Sequence, residues 1–195
     1  MKGVFHSVRR RLAVLAAAVG ILASAIASAY DDNDPPRFQG SNFPFTILKP
    51  AGPAPTHPLY TMRGGVTHLG RYAGKVVLLN LWATWCPTCV HELPSLESLQ
   101  TTLGDDRFTV IALSVDAGGA DHVTPYLNRL GVRGLPVLLD PIGRTAETLG
   151  VNHGLPWSFI IDHRGRVMGY VKGAADWKSP EGRSLIRYYV KRATR

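Results

Sequence analysis

Residues 43–195 are predicted to form one α/β domain, a central mixed sheet flanked by helices on both faces. Three observations predict it. The run at 76–82 (VVLLNLW) is almost continuously apolar, as in a strand covered on both faces. Helical and strand-like segments alternate after it. The chain has 195 residues and is 45% hydrophobic, enough for one well-filled core beyond a leader and too little for two domains.

The elements follow in chain order. Residues 1–11 are basic, 12–26 apolar, and Ala27-Ser28-Ala29 is a small-residue A-x-A site. This is the pattern of a secretory signal peptide cleaved after Ala29. An uncleaved membrane anchor is the competing reading, although 12–29 is slightly shorter than a spanning helix wants. Positive charge before the apolar run keeps the N-terminus inside, so the rest of the chain lies outside the cytoplasm. Lys2, Arg9, Arg10 and Arg11 supply four of the 22 basic residues. Without them 18 stand against 14 acidic ones, and the formal charge falls from +8 to +4. No basic stripe or aromatic platform is left, which argues against nucleic acid as a partner.

Residues 30–42 are acidic, polar and Pro-containing, and read as a flexible linker. A first strand is expected at 43–48, a loop with four prolines at 49–58, and a turn at Arg63-Gly64-Gly65 leading into a strand through His68. These give the domain an N-terminal β-hairpin extension. After the 76–82 strand, a helix is expected over 87–103, with Pro87 at its favoured first position and a kink at Pro94. A strand at 108–115, a helix at 120–130, a short strand at 136–139 and a helical turn at 145–150 follow. Segments 157–161 and 166–171, joined by Asp162-His163-Arg164-Gly165, read as a hairpin. A last amphipathic helix covers 180–194.

The chain has two cysteines, Cys86 and Cys89, and they stand as C-x-x-C. They follow a buried strand and open a helix, the context in which this spacing is a redox motif. At the helix N-terminus, free N–H groups and the helix dipole would stabilise a Cys86 thiolate and make it the nucleophile. Cys89, one turn on, could attack a mixed disulfide on Cys86 and release the reduced partner. Two other uses stay open. A structural staple gains little from closing so short a loop. A metal site wants three or four ligands. His91 is near, but there is no second C-x-x-C, so no metal or other cofactor is expected for the redox reading. Cu(I) accepts two thiolates, so a Cu(I)-binding metallochaperone using the same cysteines is the alternative. Thiol peroxidases carry Thr three residues before the reactive cysteine; here that position is Ala83.

The segment NLWATWCPTC at 80–89 resembles the active-site segment of the TlpA/ResA/CcmG group of extracytoplasmic thioredoxin-like thiol–disulfide oxidoreductases. GLPWSFIID at 154–162 resembles the same group's cis-proline loop and the strand after it. GAADW at 173–177 is similar to TlpA-like members. The resemblance covers residue 43 to the C-terminus and implies a thioredoxin fold. It implies a redox-active Cys86–Cys89 disulfide and a reductant of particular partner proteins, either apocytochrome c or copper-site assembly factors of a respiratory oxidase. A membrane thiol carrier would re-reduce it, because the periplasm is oxidising.

The resemblance also assigns expectations to single residues. Pro156 would be a cis-proline facing the cysteines, with Leu155 pairing to an extended substrate segment. Glu92, three residues after Cys89, would tune thiol ionisation or relay protons. A carboxylate there raises thiol pKa values. Asn80 stands where ordinary thioredoxins have a buried Asp, and it cannot ionise. Trp85 would cover the site rim, and Pro87-Thr88 would set the reduction potential; Trp157 departs from the small Thr or Ser that the group often has after this proline, and would narrow the cleft. His153 reads as a surface residue.

Overall fold

The structure, a computed structural model, describes residues 34–151 and 153–193. The signal or anchor reading of 1–29, residues 30–33 of the linker and Thr194 lie outside the described residues. Eight strands form one sheet: β1 (Thr46–Pro53), β2 (Leu59–Thr61), β3 (Val66–Thr67), β4 (Val76–Trp82), β5 (Phe108–Ser114), β6 (Val137–Leu139), β7 (Trp157–Ile161) and β8 (Arg166–Lys172). Their order is β1-β8-β7-β4-β5-β6-β2-β3. β4, β5 and β6 are parallel, and every other pairing is antiparallel. The helices are α1 (Pro87–Leu103), α2 (Gly119–Leu130), α3 (Arg144–Thr148) and α4 (Pro180–Ala193), with a 3₁₀ turn at Leu69–Tyr72. The fold is the expected thioredoxin-like mixed sheet.

All seven residues of β4 are buried, because both faces of this central strand are covered. Its even-numbered side chains and those of β5 meet α1, α2 and α4 through Leu93, Leu96, Val123, Leu127, Leu185 and Ile186. Right-handed crossovers from β4 to β5 and from β5 to β6 put α1 and α2 on that same face. The odd-numbered face carries only the 3₁₀ turn, α3 and loop residues, packed on Leu79, Leu81, Ile111 and Phe159. The two-sided covering is therefore uneven.

The N-terminal region differs from expectation in three places. The loop expected at 49–58 is partly strand: β1 continues to Pro53 along β8, with its register shifted between Ile47 and Gly52. Pro50 and Pro53, two of the four prolines, are accommodated because β1 is an edge strand, where missing N–H groups break no inner ladder; Pro55 and Pro58 lie in the loop after it. The hairpin is β2–β3, and it docks on β6 at the opposite edge of the sheet. The linker expected through residue 42 ends sooner, since the folded unit begins at Pro36. Phe38 is buried there, and its ring lies 4.7 Å from that of Trp177. α1 runs unbroken through Pro94, whose side is exposed.

Candidate active site

The parallel strand β4 ends at Trp82, and the chain turns through Ala83-Thr84-Trp85 into α1. The Cys86 amide donates to the Ala83 carbonyl at 3.1 Å, which closes that turn. Cys86 is the N-cap of α1 and Pro87 its first residue. The Cys89 N–H points back at Cys86 Sγ, 3.2 Å away. An N-cap side chain normally offers oxygen to that amide; here a sulfur takes the place, so negative charge on it is stabilised by a donor and by the helix dipole. The Thr88 hydroxyl lies 3.4 Å from the same sulfur.

Cys86 and Cys89 form a disulfide. Cys89 is completely buried and Cys86 is 6% exposed, so attack from outside reaches Cys86. Trp85, Pro87 and Thr88 are exposed around it, Trp85 by 67%. The Trp85 indole is thus no part of the core.

Behind the cysteines lies a buried carboxyl. Glu92 sits one turn beyond Cys89 on α1 and is 3% exposed. Its Oε1 accepts from the Trp177 indole N–H at 2.8 Å and the Ala175 amide at 3.0 Å. Its Oε2 accepts from Asn80 Nδ2 at 3.0 Å, and the same nitrogen donates to Ser158 Oγ at 2.9 Å. Burial pushes the Glu92 carboxyl up to about 7, against the opposing pull of these three hydrogen bonds. Asn80 Oδ1 is buried without a partner. Reversing that amide would let Oδ1 accept from a protonated Glu92 and from the Ser158 hydroxyl, so Asn80 can serve either charge state.

A second buried carboxylate, Asp116, follows β5. It accepts from the Thr84 amide at 3.0 Å, the Thr84 hydroxyl at 2.6 Å and Ser114 Oγ at 2.7 Å. Four residues that the sequence reading left without a role, Thr84, Asp116, Ser158 and Trp177, thus hold the turn or the Glu92 carboxyl. The signal for them was chemical: a buried acid at 92 needs donors, and Ser158 and Trp177 stood inside the resembling segments.

The loop before β7 turns at Gly154, whose φ of 66° suits glycine. The Leu155–Pro156 peptide is cis. Leu155 packs against the apolar cluster that contains both cysteines, and among the described residues no backbone group bonds to its amide or carbonyl. Trp157 is not brought to the cysteines. Its ring lies on the opposite sheet face, 6.0 Å from Phe159 and 5.1 Å from Tyr170, with its N–H on the Gly154 carbonyl at 3.0 Å. The expected narrowing of the cleft by Trp157 therefore has no geometric basis. His91 and His153 are exposed. Among the described residues, no group of three or more His, Cys, Asp or Glu is placed to hold a metal ion.

A disulfide-bonded cysteine pair at a helix N-terminus, the first sulfur slightly exposed and the second fully buried, on a thioredoxin fold, defines a thiol–disulfide oxidoreductase. The chain belongs to the Redoxin family, which its residues 40–185 match. It is 31% identical to the thiol-disulfide oxidoreductase ResA of Bacillus anthracis, over 72% of this chain and 76% of that protein. Among solved structures it is similar to a thiol:disulfide interchange protein of the thioredoxin family from Chlorobium tepidum TLS. That likeness has 26% identity and a TM-score of 0.61, covering 72% of this chain and 97% of the other. The exposed lipoprotein thioredoxin Etrx1 of Streptococcus pneumoniae strain TIGR4 is also similar, with 26% identity and a TM-score of 0.58, over 71% and 99% of the two chains.

Proposed function

We propose that the protein is a periplasmic reductant of particular partner disulfides, tethered or released by residues 1–29, and that it serves cytochrome c maturation or copper-site assembly. The observation that carries the redox part is the N-capping Cys86 sulfur, held by the Cys89 amide over a buried Glu92. The A-x-A site and the likeness to an exposed lipoprotein thioredoxin support the location. Among the described residues, no helix is long and apolar enough to cross a membrane; a tether would be residues 1–29.

In the reduced protein, the Cys86 thiolate attacks one sulfur of the partner disulfide. A Cys86–partner bond forms, and the other partner sulfur leaves as thiolate. The Cys89 thiol then gives its proton to Glu92 and attacks Cys86 Sγ. The Cys86–Cys89 bond forms, the bond to the partner breaks, and the partner leaves with two reduced sulfurs. An external thiol carrier returns the two electrons. Leu155, whose amide and carbonyl bond to no other backbone group among the described residues, pairs with the extended partner segment beside the disulfide. Trp85, Pro87 and Pro156 line that contact.

The test is reduction of insulin or a disulfide peptide. Cys86→Ser abolishes turnover, and residual turnover in this variant overturns the assignment. Cys89→Ser stalls at the mixed disulfide, and the trapped adduct from a periplasmic extract names the partner class. Adducts lacking apocytochromes and copper-site proteins would overturn the pathway while leaving the chemistry intact.

A further inference from the structure

We propose that Trp177 is a positioning residue for the thiol chemistry, acting through Glu92, and that Phe38 fixes it. The inference rests on the reading of Glu92 as the proton acceptor for Cys89.

Trp177 is fully buried, and its indole N–H meets Oε1 at 2.8 Å. A buried indole N–H needs an acceptor, and a carboxylate is the strongest available. The Ala175 amide meets the same oxygen from the same segment. That segment lies between β8 and α4 and has no helix or strand of its own. Its place is set from three sides. The Gly173 amide donates to the Pro156 carbonyl at 2.8 Å, and the Ser41 amide donates to the Ala174 carbonyl at 2.7 Å. Ser95 of α1 reaches the Ala175 carbonyl at 3.5 Å. The Phe38 ring, also buried, then packs on the Trp177 ring at 4.7 Å. The N-terminal segment and the cis-proline loop thus converge on the residue that holds the carboxyl.

The consequence is a division of labour between the two oxygens. Oε1 carries two donors that cannot reverse, a backbone N–H and an indole N–H. Oε2 faces Asn80, whose amide can reverse. The proton is therefore taken and given up at Oε2. The carboxyl bonds Asn80 of β4, which in turn bonds Ser158 of β7, and the Ala175 amide and Trp177 indole; Cys89 lies one turn back on α1. Of the other titratable groups on these elements, His91 is exposed and Asp176 is exposed with its Oδ1 on the Lys178 amide, and no charged group contributes to the raised position of the carboxyl. Hydrogen bonds are then what offsets burial. Removing the indole donor leaves the carboxyl neutral to higher pH, where it can take no proton from Cys89.

Trp177→Phe keeps the ring against Phe38 and removes the N–H. Two readouts apply. In the oxidised protein, where neither cysteine titrates, the Glu92 carboxyl followed by carbon NMR shifts its midpoint up by about one pH unit, the size expected for one lost charge-assisted hydrogen bond. In single-turnover release of a peptide from the mixed disulfide, the acidic limb of the pH–rate profile moves up equally, and the alkaline plateau stays at the wild-type rate. An unmoved midpoint and limb overturn the proposal. Glu92→Gln separates the two ideas. If that variant keeps the acidic limb, the reading of Glu92 falls and this proposal with it. If it loses the limb while Trp177→Phe leaves it unmoved, only the positioning of Glu92 by Trp177 falls. Phe38→Leu, which spares the N–H, gives a smaller shift in the same direction; no shift removes Phe38 from the proposal. Should Trp177→Phe not fold, the indole resonance of Trp177 in the unaltered protein decides: it follows pH with a midpoint of about 7, and a flat resonance overturns the proposal.

Discussion

Two adjacent rungs of the β4–β7 ladder behave in opposite ways. Asn80 pairs with Ser158, and Leu81 pairs with Trp157. The first rung points at α1, where its polar atoms join the Glu92 carboxyl behind the cysteines. The second points at the thinly covered face, where Trp157 packs on Phe159 and Tyr170 and the Lys172 ammonium lies 5.3 Å from its ring centre. The alternation of a strand separates them completely. Adjacency to the cis-proline in sequence places a residue near the site only if its side chain takes the right face.

The sharpest break in the comparison is expected with pH. The folded-state Glu92 carboxyl sits at about 7, above its ordinary value of 4.5. The folded protein thus binds this proton more tightly than the unfolded chain does. The stabilisation is fully present below 4.5 and is lost as pH rises through about 7, a difference on the order of 3 kcal/mol. In Glu92→Gln the amide does not titrate, and this part of the slope disappears. Urea unfolding of both oxidised proteins at pH 5 and pH 8 measures it. Equal slopes in the two proteins would remove the raised carboxyl from the account.

A smaller effect is expected on the Asn80 rung. Asn80→Leu keeps the volume and removes the donor to Oε2 and the partner of Ser158. Two buried polar atoms are left unmet, and stability falls by about 2–3 kcal/mol. The Glu92 carboxyl is pushed further up at the same time. Denaturant midpoints at pH 5 and pH 8 separate the contributions, because the loss is greater where Glu92 is ionised.

The unequal legibility of the two rungs has a physical cause. β4 and α1 could be read to the residue, because continuous apolar patterning and a proline at the first helical position are local signals. The Cys86–Cys89 pair was equally local. The donors to Glu92 were not, since Ala175 and Trp177 lie 83 and 85 positions away. Phe38 was hidden for a related reason: a lone aromatic in a polar, Pro-containing stretch has no periodicity to mark it as buried. β1 was expected to stop at Leu48 because the prolines after it read as a break, whereas an edge strand tolerates the two that fall in it, Pro50 and Pro53. Trp157 erred in the other direction, through reliance on its neighbour Pro156 instead of on the pleat.

Trp157 therefore gives the mildest change. Trp157→Leu removes ring contacts to Phe159 and Tyr170 and the cation–π contact with Lys172. Those contacts are worth about 1–2 kcal/mol together, seen as a lower urea midpoint. Peptide-disulfide reduction stays within about a factor of two of wild type, the range for a side chain that touches no reacting atom. The leucine remains apolar on an apolar face, so β7 keeps its pairing and Ser158 keeps its place beside Asn80. The acidic limb of the pH profile then also stays put, because nothing on the Trp157 face reaches Glu92. A tenfold fall in reduction with unchanged stability would show that a partner segment contacts this face, and the division between the two rungs would have to be redrawn.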